Sequence, residues 1–576
     1  MINDASVVIG GGNWGIKEAD VLGYKLINDE YYARDIDFAN STAAGTYTDS
    51  TGVIRKAPYN LLLQSNTFST TWATALSTVT IGQSGYDGTS NAWLLEKSNT
   101  DGRIGQSITP PTGAYTYSVY AKAGTKNWVL LRVDGASNRT AYFNLQTGVT
   151  GTATGCTSSI SSVGGGWYHC SINYTDAITI VRIYVADANN DTSGTSGNIL
   201  IQSAQLVEGT EALPYFPTTT RLNVPRIDYR NADGSLSTVG RLLLEPQRTN
   251  LALYSDQFND ATWTKVAVSV TANTITSPDG TTNADTVTAN GVTTSHSFFQ
   301  TISGGTVKAI SIYAKAGTHQ FLQILTGGTA NPVANYDIVN GTSNMIGSSS
   351  TSSIENVGNG WYRCILSTTD TGATNPTFAF AGSLSSPRNP SVSTSGTMYI
   401  WGCQVEAGAY PTTYIPTTTA AVTRNADVAS KTGVSSWIGQ TEGSIFINVN
   451  FNPLSTNRDI IYLGDSSNAF RIVFSAGNAI TVGVRTASTS VNYISTGTLA
   501  AGTYKIGFGY KSGDHVLYIN GTQVGVSTST SMPVGTLSSI SLGNPVINGP
   551  IEQPLAQAAI FLTRLTNEQL SQLTTL

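Results

Sequence analysis

The chain has 576 residues, a net charge of −5 and 40% apolar residues, enough for roughly three to five domains with cores of their own. Charged residues make up only 11%, where about 25% is ordinary, which argues against disorder and against long surface helices rich in Lys and Glu. No Lys/Arg cluster stands out, so nucleic acid is excluded as an expected partner, and a protein or a neutral polar ligand such as a glycan fits better.

The start, Met1-Ile2-Asn3-Asp4-Ala5, shows no basic and apolar leader, and no apolar run approaches the ~20 residues needed to cross a bilayer. The expectation is a soluble product assembled in a cytoplasm, without membrane insertion. Residues 1–38 read as a distinct head. Gly10-Gly11-Gly12-Asn13-Trp14-Gly15 lacks the Lys of a phosphate loop and reads as a turn, and Tyr31–Phe38 reads as a first strand. Nothing in this head can fold alone, so it is expected to be an attachment segment that orders on a partner. Residues 39–59 then form a lead-in strand and connector.

Residues 60–217 and 250–417 are two copies of one module. Asn60-Leu61-Leu62-Leu63-Gln64-Ser65 returns as Asn250-Leu251-Ala252-Leu253-Tyr254-Ser255. Tyr120-Ala121-Lys122-Ala123-Gly124-Thr125 returns as Tyr313-Ala314-Lys315-Ala316-Gly317-Thr318, and Gly166-Trp167-Tyr168 as Gly360-Trp361-Tyr362. Pro217-Thr218-Thr219-Thr220 returns as Pro416-Thr417-Thr418-Thr419. A period this long is a domain duplication, not a solenoid. Alternation puts Tyr117, Val119 and Ala121 on one strand face, and Ile310, Ile312 and Ala314 on the matching face of the second copy. Gly-rich turns lead into aromatic strands at Trp167 and Trp361. Short strands between Gly/Ser/Thr/Asn turns predict antiparallel sandwiches.

The four cysteines read as free, mostly buried thiols; hairpin pairing would set Cys170 nearer Ser159 than Cys156. Asp187–Gly194 has the acidic spacing of a calcium loop but lacks its Gly and its closing Glu, and reads as a polar hairpin loop. Residues 218–249, bounded by Pro225 and Pro246, predict a structured connector. The last module, 418–576, is different. Ile445, Ile447, Val449 and Phe451 alternate, and Asn520-Gly521 supplies a type I′ hairpin turn. One helix closes the chain, with Thr566 and Gln569 as a capping box and Leu565 and Leu570 as a hydrophobic staple. The fold class expected is therefore all-β, with tandem antiparallel β-sandwich (jelly-roll) domains behind a short N-terminal attachment segment.

Chemistry is sparse. His169, His296, His319 and His515 show no metal-ligand spacing, His169 is replaced by Arg363 in the other copy, and His515 reads as an exposed turn residue. There is no nucleophile elbow, and the carboxylates number only 35, most of them in turns such as Asp87-Gly88 and Asp279-Gly280, so no catalytic, metal or cofactor residue is expected and the chain reads as a non-enzyme. The paired aromatics Trp72/Trp263, Trp167/Trp361 and Tyr120/Tyr313 match between copies as core residues would. Unmatched aromatics of the last module, Trp437, Phe470 and Tyr493, are the ligand candidates.

Several separated motifs carry a resemblance. Asp37–Tyr47, Val224-Pro225-Arg226-Ile227-Asp228-Tyr229, Leu243-Leu244-Glu245-Pro246-Gln247-Arg248-Thr249-Asn250, the Tyr-Ala-Lys-Ala-Gly strands, the Gly-Trp-Tyr hairpins and Tyr414–Thr419 together resemble tailed-phage fibre and appendage proteins with carbohydrate-binding-module-like repeats. Gly502–Tyr510, Tyr518–Gly521 and Leu565–Leu570 are similar to concanavalin A-like (laminin G-like) domains. The resemblance implies a virion tail or head fibre, commonly a homotrimer, joined to other virion proteins through residues 1–38 and meeting host cell-surface glycans. A head decoration without a receptor, or a polysaccharide depolymerase, stay open as alternatives.

Overall fold

The computed structural model describes residues 2–10, 23–27, 30–34, 36–39, 44–57, 59–110, 113–210, 212, 215–218, 225–231, 234–302, 309–327, 331–347, 350–368, 374–408, 410–451, 457–543 and 554–576. The chain forms two compact units, one of residues 58–224 and one of residues 1–57 together with 225–576. Both are all-β, and the described strand pairings are antiparallel.

Unit 58–224 is the first copy. One six-stranded sheet runs Val149–Thr154, Arg139–Asn144, Trp128–Gly135, Ile178–Ala186, Arg103–Ser107, Ala73–Ala75. The other runs Thr157–Gly164, Trp167–Asp176, Gly113–Ala123, Gly197–Glu208, Ala92–Lys97, Ser77–Gln83. Tyr117, Val119 and Ala121 point inward, as alternation requires, and meet Leu131, Ile183 and Leu206 in one core. Each large side chain so buried contributes about 1.5–3 kcal/mol. The second copy repeats the strand order of both sheets, with Ile310, Ile312 and Ala314 on the matching inner face.

The repeated motifs are the copies' internal fastening. Asn60 and Asn250 are fully buried, and each amide makes four hydrogen bonds. Asn60 Nδ2 donates to the carbonyls of Ala204 (3.0 Å) and Phe216 (3.2 Å), while Oδ1 accepts from the amides of Leu62 (3.1 Å) and Leu206 (3.0 Å). Asn250 does the same with Cys403, Ile415, Ala252 and Val405. Entry, long central strand and exit of each sandwich are thereby tied at one point, and an apolar residue there would strand several buried polar groups at about 1–3 kcal/mol each. The indoles of Trp72 and Trp263 lie in the cores and donate to the carbonyls of Gln64 and Tyr254. The turns before Trp167 and Trp361 need left-handed backbone at three successive positions, Gly164–Gly166 and Gly358-Asn359-Gly360, which explains their composition.

Cys156, Cys170, Cys364 and Cys403 are free thiols. Cys170 pairs with Ile160, next to Ser159 and four residues from Cys156, after a bulge between Ser162 and Gly164. Within residues 218–249, Ile227–Arg230 pairs with Leu236–Leu242.

The terminal module corrects the reading of residues 1–38 as a free head. Its first sheet is ordered Glu30–Ala33, Gly23–Ile27, Val7–Gly10, Leu555–Phe561, Glu442–Phe451, Gly502–Lys511, His515–Ile519, Thr522–Ser527. Val7–Gly10 thus lies inside the sheet, paired with Leu555–Phe561. Val7 and Ile9 face the main core while Val8 faces a second core under the C-terminal helix, so this short run is buried on both sides. In the opposing sheet Asp37–Ala39 pairs with Val428–Thr432. The expected strand over 31–38 is two short strands, Glu30–Ala33 and Asp37–Ala39. Residues 11–15 of the glycine-rich turn lie outside the described residues. The helix Asn567–Thr574 carries the expected capping box, and Leu565 and Leu570 pack in its core. Asn520 and Gly521 both have positive φ, as the I′ turn demands.

A buried charge cluster closes this unit. The Arg226 guanidinium donates to Thr46 O (2.8 Å), Glu245 Oε2 (2.8 Å), Thr413 Oγ1 (2.9 Å) and the Asp427 carboxylate. Arg424 donates to the same Glu245 oxygen (2.8 Å) and to Pro246 O (2.8 Å). Glu245 also accepts from Thr413 N (2.8 Å), and its own amide donates to Asp427 (2.8 Å). Lead-in, connector, end of the second copy and start of the terminal module all meet here. Burial pushes the Glu245 carboxyl up, yet Arg424 and Arg226 outweigh it and hold the group at about 2, below its ordinary 4.5. Its stabilisation is therefore present above pH 4.5 and is lost as pH falls toward 2. Glu245→Gln is expected to cost this unit about 3 kcal/mol at pH 7 and to remove that acid-dependent loss, while the melting transition of unit 58–224 stays in place; thermal melts across pH check this.

Candidate functional site

The outer face of the sheet containing Ala309–Ala316 is where the two copies part. Strand register puts Lys315 directly beside Trp361 on one neighbour and Tyr399 on the other. The next row is Arg363, Tyr313, Trp401. The first copy has Trp167, Lys122, Leu200 and then His169, Tyr120, Gln202 in these places. Trp and Lys are common to both; Tyr399, Arg363 and Trp401 are not.

Two different plugs cover the second row. In the first copy, Tyr86 from the Ser84–Thr89 turn stacks on Tyr120, with ring centroids 3.9 Å apart. In the second copy the equivalent turn carries Pro278, and the space goes to the hairpin Thr46–Thr48/Ile54–Lys56. Ile54 donates its amide to Pro278 O (2.9 Å) and packs with Tyr313, Trp361, Trp401 and Tyr414. The hairpin is fixed from its other side by Asp228, which accepts from Thr48 N (2.6 Å) and Arg230 N (2.9 Å).

The hairpin leaves Lys315 and Tyr399 of the first row partly exposed and gives the row a third wall. The result is a cleft of about 430 Å³ between the tip Gly52-Val53, the turn around Ser277-Pro278, and the row Trp361, Lys315, Tyr399. Trp361 is nearly buried and its indole donates to Thr276 O (3.1 Å), so it is wall rather than platform. Tyr399 is half-buried. The Lys315 ammonium donates to Asn359 O (2.7 Å), another lining residue. Beneath lies a small recess of about 60 Å³ containing Asp228, Glu355, Arg230 and Arg363. Burial pushes both carboxyls up, while Arg230 pulls each down and Arg363 adds to the pull on Glu355. Asp228 is engaged in holding the hairpin.

The three sequence candidates fall elsewhere. Phe470 is corrected outright: it is fully buried, its ring stacked 3.8 Å from that of Tyr510, with no face left for a ligand. Tyr493 is half-buried against the same core, stacked 3.8 Å from His515, and its hydroxyl donates to Ser531 O. Trp437 is half-buried, with the Arg34 guanidinium 5.0 Å above its ring. His515 is not an exposed turn residue but is fully buried, its Nε2 2.9 Å from Ser529 O. In the Asp187–Gly194 loop the Asp187 carboxylate is taken by Lys97 and by Lys126 (2.6 Å). Sequence reasoning missed Tyr399, whose signal was its mismatch with Leu200.

No protein-family model matches the sequence, and no curated protein matches it. Among solved structures, the chain is similar to the Ruminococcus gnavus IT-sialidase CBM40 bound to alpha2,3 sialyllactose, at 10% identity over 25% of this chain and 91% of that one, with a TM-score of 0.23. It is similar to a Trypanosoma rangeli sialidase at 10% identity over 94% and 98% of the two chains, with a TM-score of 0.21. Scores this low bear on neither ligand nor activity, and the sandwich fold rests on the strand pairings above.

Asp256 lies within electrostatic reach of Asp279, in the turn that walls the cleft. Burial pushes its carboxyl up to about 6 from an ordinary 3.8, and Asp279 and Asp285 add repulsion. The first copy has Asn66 here, a neutral amide accepting from Ser203 N (2.9 Å). A raised folded value means that stability is fully present below pH 3.8 and is lost as pH rises through about 6. Asp256→Asn is expected to stabilise the unit by about 1–2 kcal/mol at pH 7.5 and to leave its melting temperature unchanged near pH 3.5.

Proposed function

We propose that the chain is a bacteriophage virion fibre or appendage protein, a non-catalytic homotrimer whose second sandwich copy adheres to host-surface glycans. The observation that carries the adhesion is the cleft: a half-buried tyrosine beside an amine and backbone carbonyls, in a row where the sister copy has Leu200 in place of the tyrosine. Sugars offer apolar ring faces to aromatic side chains and hydroxyls to polar groups, which is the chemistry this lining supplies. The tandem sandwiches suit a rigid appendage, and multiple chains would raise a weak single-site affinity through effective concentration. The virion setting rests on the sequence motifs, and Arg226 and Glu245 from those motifs form the charge cluster that closes the unit. Residues 1–10 and 23–39, where described, are committed to the terminal module, so particle attachment is not assigned to a free head.

A glycan array probed with the full chain is expected to light a few related sugars, with Tyr399→Ala weakening them about fivefold, the worth of roughly 1 kcal/mol of aromatic contact. Antibody-gold against the chain is expected to label appendages of phage particles. Silence on the array, or release of reducing ends from host polysaccharide, contradicts the reading.

A further inference from the structure

We infer that the cleft takes a carboxylated pyranose, with its ring on Tyr399 and its carboxylate on Lys315; this rests on the glycan-binding reading above and narrows it to a sugar class. The lining holds one cation, Lys315, and no Asp or Glu. An ammonium has three donors. One is spent on Asn359 O, and among the described residues Lys315 has no carboxylate partner. Of the nearby acids, Asp228 accepts from two backbone amides, Asp279 accepts from Thr281 and Asn283, and Glu355 lies in the separate recess with Arg363 and Arg230. The lining itself therefore carries one positive side chain and no negative one, in a chain whose overall charge is −5.

Position adds to charge. Tyr399 and Lys315 are directly opposite residues on paired strands, on the same face, and such pairs have Cβ atoms about 5 Å apart. A ring lying on Tyr399 therefore carries its substituents over Lys315. A neutral sugar would leave the remaining donors of Lys315 to water; a carboxylate pairs with them in a charge-assisted hydrogen bond inside a concave site. The molecule contains its own control. Lys122 in the first copy makes the same bond, to Gly165 O at 2.7 Å, but faces Leu200 instead of a tyrosine, on a sheet face plugged by Tyr86 and without the hairpin wall.

The test uses the full chain against oligosaccharides ending in glucuronic, galacturonic or N-acetylneuraminic acid, each beside a neutral glucose- or galactose-ended counterpart, followed by calorimetric titration of the best binder. At least one acidic sugar is expected to bind, with its neutral counterpart weaker by tenfold or more. Lys315→Met is expected to lose about tenfold to a hundredfold, the worth of a hydrogen bond to a charged group, and Lys122→Met nothing. Tyr399→Leu, which installs the first copy's residue, gives a second readout should Lys315→Met disturb the turn at Asn359, and is expected to weaken binding with an unchanged melting temperature. Equal binding of neutral and acidic sugars, or full affinity in both the Lys315 and Tyr399 variants, overturns the inference while leaving glycan binding in place. Silence toward every sugar overturns both.

Discussion

Four side chains, Arg226, Glu245, Arg424 and Asp427, carry the unit made of residues 1–57 and 225–576. They are two cations and two anions withdrawn from water, and such a group is sustainable only when each charge is paired and hydrogen-bonded. The cluster meets that condition by drawing on backbone as well as side chains: Thr46 O, Pro246 O, Thr413 N and the Glu245 amide all take part. The geometry obliges four distant stretches of chain to converge, and the hairpin that walls the cleft is one of them. The wall of the cleft thus depends on this ionic pairing, through the position of the hairpin.

The duplication shows how one sandwich yields two surfaces. The inner scaffold is held constant by Asn60/Asn250, Gln106/Gln300 and Trp72/Trp263, because every one of their polar groups has a fixed partner. Apolar side chains vary in the cores, as Tyr117 against Ile310, but the changes that shape the cleft lie on the outer face. Tyr86 against Pro278, Gln202 against Trp401 and Leu200 against Tyr399 convert a self-plugged face into one that receives a hairpin and keeps a cleft. The chain order supports an inserted first copy: Gly45 packs against both Ala57 and Arg226, with a Cβ there lying 3.7 Å and 3.1 Å from them, so residues 57 and 225 lie at one place in the fold.

Much of this was legible in the sequence because the chain supplies its own comparison. Alternation around Val119 and Ile312, the turns before Trp167 and Trp361, and the capping box at Thr566 follow from local chemistry, and the structure has them where expected. What escaped was non-local. Val7–Ile9 is too short to announce a strand, and its neighbours lie at the other end of the chain, where Ser6 bonds to Ile560, 554 positions away. The burial of Phe470 escaped for a related reason. Phe470 looked unmatched only because the terminal module has no second copy, whereas Tyr399 was a true mismatch hidden inside a matching block. His515 lies at a strand start and reads as exposed, but Tyr493 closes over it.

The most direct measurement is sugar binding by a shortened chain in which residues 58–224 are excised and Ala57 is joined to Pro225. If the charge cluster and the docked hairpin make the cleft, this protein binds the same sugars as the full chain with unchanged affinity. A shortened chain that folds yet has lost binding would place recognition outside the cleft and contradict the account.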